Sequence, residues 1–196
     1  MLSLAAAANP AYVDAFTYRA NLTLLTPEQV TDQAQVRALF RELELLPLTD
    51  YELMEVRRQF PLTQQLATSC GPTAMSGLAF LMAIHHMTDF VGMLDALVAM
   101  GADRRHVTIL DKGYPYTDRH RVDGWLRTTL GMNVDFYPDR ERIIGQHIAR
   151  AEAAGLKTMI FDDGGHCWPV VAERYPNKMG EFIGIVEQTV SGTWKV

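Results

Sequence analysis

The chain has 196 residues, 48% of them hydrophobic, enough for one well-buried domain or a domain with a short appendage. Its formal charge of -5 and pI near 5.6 argue against a nucleic-acid or anionic-membrane surface. Two cysteines, Cys70 and Cys167, make no disulfide framework, and no apolar run reaches the ~18 residues of a membrane span. Met1 to Ala8 lacks the basic start of a signal peptide and turns polar at Asn9-Pro10. These features predict a soluble, cytoplasmic protein with no nucleic-acid or membrane partner.

Thr26-Pro27-Glu28-Gln29 opens the first predicted helix, with Thr26 as N-cap, Pro27 at N1 and Gln29 as capping-box partner. It runs to about Leu45. Thr49 to Phe60 reads as a second helix, capped by Thr49 or Asp50 and ended by Pro61. Residues 1–65 are therefore expected to form a helical amino-terminal layer. Residues 66–196 read as an α/β domain.

The continuous apolar run Leu78 to Ile84 fits a central parallel strand or a buried helical segment. Phe90 to Met100 has helical periodicity and stops at Gly101. His106 to Leu110 is strand-like, and Gly113-Tyr114-Pro115-Tyr116 is a loop. Arg121 to Leu130 reads as a helix, Val134 to Tyr137 as a short strand, Arg140 to Ala154 as a helix and Leu156 to Phe161 as a strand. Gly180 to Val186 is a candidate last strand. Strands alternating with helices predict a Rossmann-like parallel sheet flanked by helices.

The predicted strand through Phe161 ends in Asp162-Asp163-Gly164-Gly165, followed by His166 and Cys167. Open α/β sheets hold ligands at the carboxyl ends of their strands, and two glycines permit a sharp turn or a close backbone approach. Asp162 reads as a partner for backbone amides, which leaves Asp163 as the functional candidate. Taken alone, His86 reads as a histidine at the edge of the core, and His85 as structural. Trp168 reads as packing, and the irregular spacing of His166 and Cys167 predicts no metal site.

Three segments together resemble the substrate domain of the S-adenosylhomocysteine hydrolase family. His86-Met87-Thr88 with the following Val91 to Ala102 is similar to that family's His-Met-Thr segment and helix. Asp162 to Gly165 resembles its Asp-Asp-Gly-Gly-Asp strand end, and Ile185 to Gly192 its Glu-Glu-Thr-Thr-Thr-Gly segment. The order and separations also match, over roughly residues 75–194. The resemblance implies cleavage of S-adenosylhomocysteine to adenosine and homocysteine. In that reaction a bound NAD oxidises the ribose 3'-hydroxyl, the thiol is eliminated, water adds and the ketone is reduced again. It implies His86 and Asp163 as acid/base groups, joined by His166, and Thr88, Glu187 and Gln188 as substrate-binding residues. Thr189 and Ser191 would face the cofactor.

Departures from the pattern are His166 for its last Asp, Gln188 for its second Glu, Phe90 near the adenine position, and Thr189-Val190-Ser191 for its threonine triplet. They imply an altered ligand or chemistry. No Gly-x-Gly-x-x-Gly occurs, so NAD is expected only if another domain or subunit supplies it. A homo-oligomer or such an NAD-domain partner is the expected assembly.

A second reading comes from Gln64, Cys70, Gly71 and Pro72, which resemble the glutamine-to-cysteine segment of papain-like peptidases. Cys70 would be a nucleophile at a helix amino terminus, His166 its base and Asn177 the orienting group. A non-catalytic ligand-binding domain, or one subunit of a split enzyme, is the third.

Overall fold

The computed structural model describes residues 48–114 and 118–194. The helix expected over residues 26–45 lies outside the described residues, as do Pro115 and Tyr116.

The first described helix, α1 (Asp50–Arg58), begins with a reciprocal capping box. Thr49 Oγ1 accepts from the Glu52 amide, and Glu52 Oε2 accepts from the Thr49 amide at 3.0 Å. Helix α2 (Pro61–Cys70) follows at once, with Pro61 at its first position. Proline suits that place because its missing N–H would be unpaired there anyway. The sequence reading of Pro61 as a stop holds for α1 but misses this new start.

A five-stranded, all-parallel sheet follows, formed by β1 (Leu78–Ala83), β2 (Val107–Asp111), β3 (Asn133–Phe136), β4 (Lys157–Asp162) and β5 (Phe182–Glu187). Its spatial order is β3-β2-β1-β4-β5. The run Leu78 to Ala83 is thus the central strand, buried on both faces, which explains why it is apolar throughout.

Helices cover both faces: α3 (Asp89–Ala99), α4 (Arg119–Gly124), α5 (Arg140–Ala153), α6 (Trp168–Arg174) and the short α7 (Val190–Thr193). Helix α4 continues into a π-helical turn, Trp125–Thr129, closed by the Leu130 amide on the Trp125 carbonyl. Alternate residues of β1 feed two separate cores. Phe80 and Met82 pack with Leu53, Val56, Val91, Leu94 and Trp125 on one face. Leu81 and Ala83 pack with Ile143, Ile144, Ile160 and Val171 on the other. No helix among the described residues is long and apolar enough to cross a membrane.

This strand order reverses direction between β1 and β4, so their carboxyl ends border the crevice where open α/β sheets bind ligands.

Candidate functional site

Two consecutive histidines leave β1 in opposite directions, continuing the alternation of the strand. His85 turns towards β4. Its Nε2 lies 2.8 Å from Asp163 Oδ2, the first residue beyond β4. Lys112, just past β2, closes the group: its Nζ donates to the Asp163 carbonyl at 2.8 Å and sits 3.3 Å from the same carboxylate oxygen. It also lies 3.4 Å from His85 Nε2. The Lys112 side chain is only 4% exposed, so a desolvated ammonium and carboxylate face each other across the end of the sheet. Burial, then the nearby Lys112 charge, pushes the His85 pKa down against the pull of Asp163. This favours the neutral ring, which can take a proton at one nitrogen. The Tyr114 ring stands edge-on to it at 4.9 Å.

The turn after β4 is built so that Asp163 reaches this position. Gly164 and Gly165 have φ of 105° and 64°, conformations that L side chains adopt only under strain. Glu187, at the end of β5, accepts both of their amides at 2.9 Å, together with the Thr189 amide and hydroxyl at 2.8 Å. Burial works against its ionised form. The hydrogen bonds from Gly164, Thr189 and Gly165 outweigh it and hold Glu187 below the ordinary carboxylate range. Asp162 Oδ2 accepts the His166 and Cys167 amides at 2.7 and 2.6 Å. Asp162 therefore serves backbone amides, as its sequence context indicated.

Beside the His85–Asp163 pair opens a cleft of about 290 Å³. Its walls include Phe60, Thr63, His85, Phe90, Met93 and Gln188. It is mostly apolar, with polar groups at Thr63, His85, Asp89 and Gln188, the composition expected of a small-molecule site.

The residues implied by the resemblance divide into separate groups. Gln188 lines the cleft, anchored by its backbone amide on the Asp162 carbonyl at 2.9 Å, and Asp163 is linked to the cleft through His85. His86 does not meet Asp163. It is buried on the opposite side of β1, with Asp111 and Asp123 as its nearest carboxylates. Thr88 is half-buried ahead of α3 and does not line the cleft. Glu187 holds the glycine turn, and its carboxylate oxygens are occupied by backbone amides. His166 Nδ1 lies 2.6 Å from the Tyr137 hydroxyl, in a second pair apart from His85. Thr189 caps α7 by accepting from the Gly192 amide at 3.1 Å. The Ser191 side chain lies outside what is described.

Neither His85 nor Lys112 stood out as a site residue from the sequence. A signal for both was present: each directly follows a strand, and strand carboxyl ends share one edge of a parallel sheet.

The described residues do not fit a dinucleotide. The turn from β1 into α3 runs through His85, His86, Met87 and Thr88 without a glycine, and α3 opens with the carboxylate of Asp89 where a pyrophosphate would need an unopposed helix end. Thr189 uses its hydroxyl within the protein.

The peptidase geometry is likewise not met. Cys70 ends α2 instead of opening a helix. The segment after it packs at the amino edge of the sheet: the Met75 amide bonds the Met100 carbonyl, and Gly101 lies against Pro72. His166 follows β4 at the carboxyl edge, so the two residues stand at opposite ends of the strands. Cys167, beside His166, is fully buried, and burial holds its thiol protonated.

No protein-family model matches the chain, and no curated protein matches it significantly.

Proposed function

We propose that this chain is an S-adenosylhomocysteine hydrolase-like protein of altered chemistry, which binds an adenosine-like small molecule in the cleft beside His85 and acts on it by acid–base chemistry. The observation that carries this reading is the His85–Asp163 contact at the strand-order reversal, directly beside a cleft of about 290 Å³. That volume lies near the lower end of the ~300–1,000 Å³ usual for small-molecule sites.

Within this reading the roles separate by chemistry. Asp163 holds His85 in one tautomer and stabilises its protonated form, which raises its value as a base. Lys112 pairs with Asp163 and holds it in place. Gln188 donates to or accepts from a ligand hydroxyl, and Phe90 and Met93 supply the apolar wall for a flat base. Asp163 carries over from the resemblance, whereas His85 takes the acid/base part that the resemblance would give to His86. A proton taken from a ligand hydroxyl passes to His85 Nδ1, because Nε2 carries the hydrogen donated to Asp163.

Isothermal titration of the purified chain with adenosine and with S-adenosylhomocysteine tests the proposal. A dissociation constant in the micromolar range for the native chain, lost in His85→Ala, is the expected result. Failure of both ligands to bind would overturn the adenosine-like reading. Binding unchanged in His85→Ala would place the ligand elsewhere.

A further inference from the structure

His86 is left unused by the chemistry proposed for His85. It is 2% exposed, and neither of its ring nitrogens has a hydrogen-bond partner. An unpaired polar group buried in this way costs about 1–3 kcal/mol, so an imidazole aimed at two carboxylates needs an explanation. Its Nδ1 stands 3.8 Å from Asp123 Oδ1 and 4.0 Å from Asp111 Oδ1, too far for hydrogen bonds. Asp123 Oδ1 is itself buried without a partner. One donor atom from each of the three residues lies within 4.8 Å of the others.

We propose that His86, Asp111 and Asp123 form a binding site for a first-row divalent cation, with zinc as the reference ion. Two ligand atoms each about 2.1 Å from one ion are separated by at most ~4.2 Å. The two histidine–carboxylate distances already fall inside that limit, and the remaining span closes with roughly 1 Å of side-chain movement. One imidazole nitrogen with two carboxylate oxygens suits zinc and its neighbours better than magnesium or calcium, which favour all-oxygen shells.

The surroundings match. Each carboxylate is held by an arginine. Arg119 pairs with both oxygens of Asp111, its Nε donating to Oδ1 at 3.1 Å, and the same Oδ1 accepts the Gly113 amide at 2.8 Å. Arg127 Nε binds Asp123 Oδ2 at 2.9 Å and leaves Oδ1 pointing at His86. Such outer hydrogen bonds hold ligating carboxylates in many metal sites. The two guanidinium charges also repel a cation, so the site is expected to bind more weakly than a fully anionic one. Tyr114 and Arg119 border His86 and Asp111 at the carboxyl edge of the sheet. Three protein ligands leave one position of a four-coordinate ion for water.

The test is titration of chelator-stripped protein with zinc by calorimetry, and with cobalt(II) followed by visible absorption. One equivalent is expected to bind, with cobalt bands of a four- or five-coordinate site. His86→Ala and the near-isosteric Asp123→Asn are each expected to weaken binding at least tenfold, while exposed His120→Ala leaves it unchanged. If His86→Ala does not fold, Asp123→Asn decides alone. No stoichiometric binding to the native chain, or equal binding by folded His86→Ala or Asp123→Asn, would overturn the site.

Discussion

His85 Nε2 and Asp163 Oδ2 lie 2.8 Å apart across the two strands where the sheet order reverses, although 77 positions separate the residues in the chain. Lys112 completes the group from the end of a third strand. Because Asp163 both orients the imidazole and neutralises the ammonium, its removal has two separable effects. Asp163→Asn is expected to lower turnover of the cleft's ligand by about 10²-fold or more, the range for loss of a positioned acid–base group. It is also expected to cost up to ~3–5 kcal/mol of stability by leaving Lys112 unpaired. Asp163→Asn combined with Lys112→Met recovers much of the stability and none of the activity. Urea unfolding and turnover assays on the two variants check this; activity recovered with stability would show that Asp163 acts only in folding.

Glu187 is an anchor for the glycine turn, so its replacement is expected to loosen that turn first. Hydrogen bonds to a charged acceptor contribute about 1.5–3 kcal/mol, and Glu187→Gln keeps the shape while losing the charge. A loss of about 1–2 kcal/mol is expected, together with faster amide exchange at Gly164 and Gly165. Hydrogen exchange of these two amides unchanged from the native chain would disprove the anchoring role.

Gly92 in α3 faces Phe60, where an added Cβ would stand 2.7 Å from Cδ2 of the ring. Gly92→Ala gains up to ~1 kcal/mol of helix propensity but overpacks the contact by about 1–3 kcal/mol. The expected net is a loss of about 1 kcal/mol and a displaced Phe60, which also lines the cleft. Thermal unfolding gives the sign, and weaker ligand binding would report the reshaped wall.

His147 supplies the pH prediction. Burial, with a smaller contribution from Arg150, lowers its pKa to about 3, while its ring bridges Thr108 and Thr158 at 2.9 and 3.1 Å. An unfolded histidine titrates near the ordinary value of about 6.5. Between these limits the unfolded chain binds the extra proton, so stability falls as pH drops from about 6.5 towards 3. The slope from this group is at most about 1.4 kcal/mol per pH unit. The His147→Gln variant is expected to show a flatter profile than the native chain in urea unfolding between pH 6 and 4. Parallel profiles would mean that His147 is not held neutral.

Much of the fold was legible because its signals are local. Leu78 to Ala83 is apolar at every position, which only a strand covered on both faces or a buried helix permits; the alternation of its neighbours with helical segments favours the strand. Thr49 with Glu52 marks a helix start by spacing alone. Helix α2 escaped notice because Pro61 signals both an end and a beginning, and its exposed Leu62 and Leu66 show no clear inward stripe. Helix α6 escaped for its brevity.

The candidate site was legible only in part. That carboxylates and glycines gather at the end of β4 follows from the chain order of Asp162 to Gly165, as does the use of Asp162 on nearby amides. Which histidine meets Asp163 does not. That is settled by the two-residue alternation of β1 carried one step past its last residue, which sends His85 to one face and His86 to the other. Likewise, Lys112, Asp111 and Asp123 reach these histidines only through the pairing of β1 with β2 and the packing of α4. The sequence by itself determined a parallel α/β sheet with an acid-bearing turn after β4, because strand and turn preferences act over a few residues. The tertiary structure decided the partners, because contacts across a sheet depend on strand order and register, which no local spacing encodes.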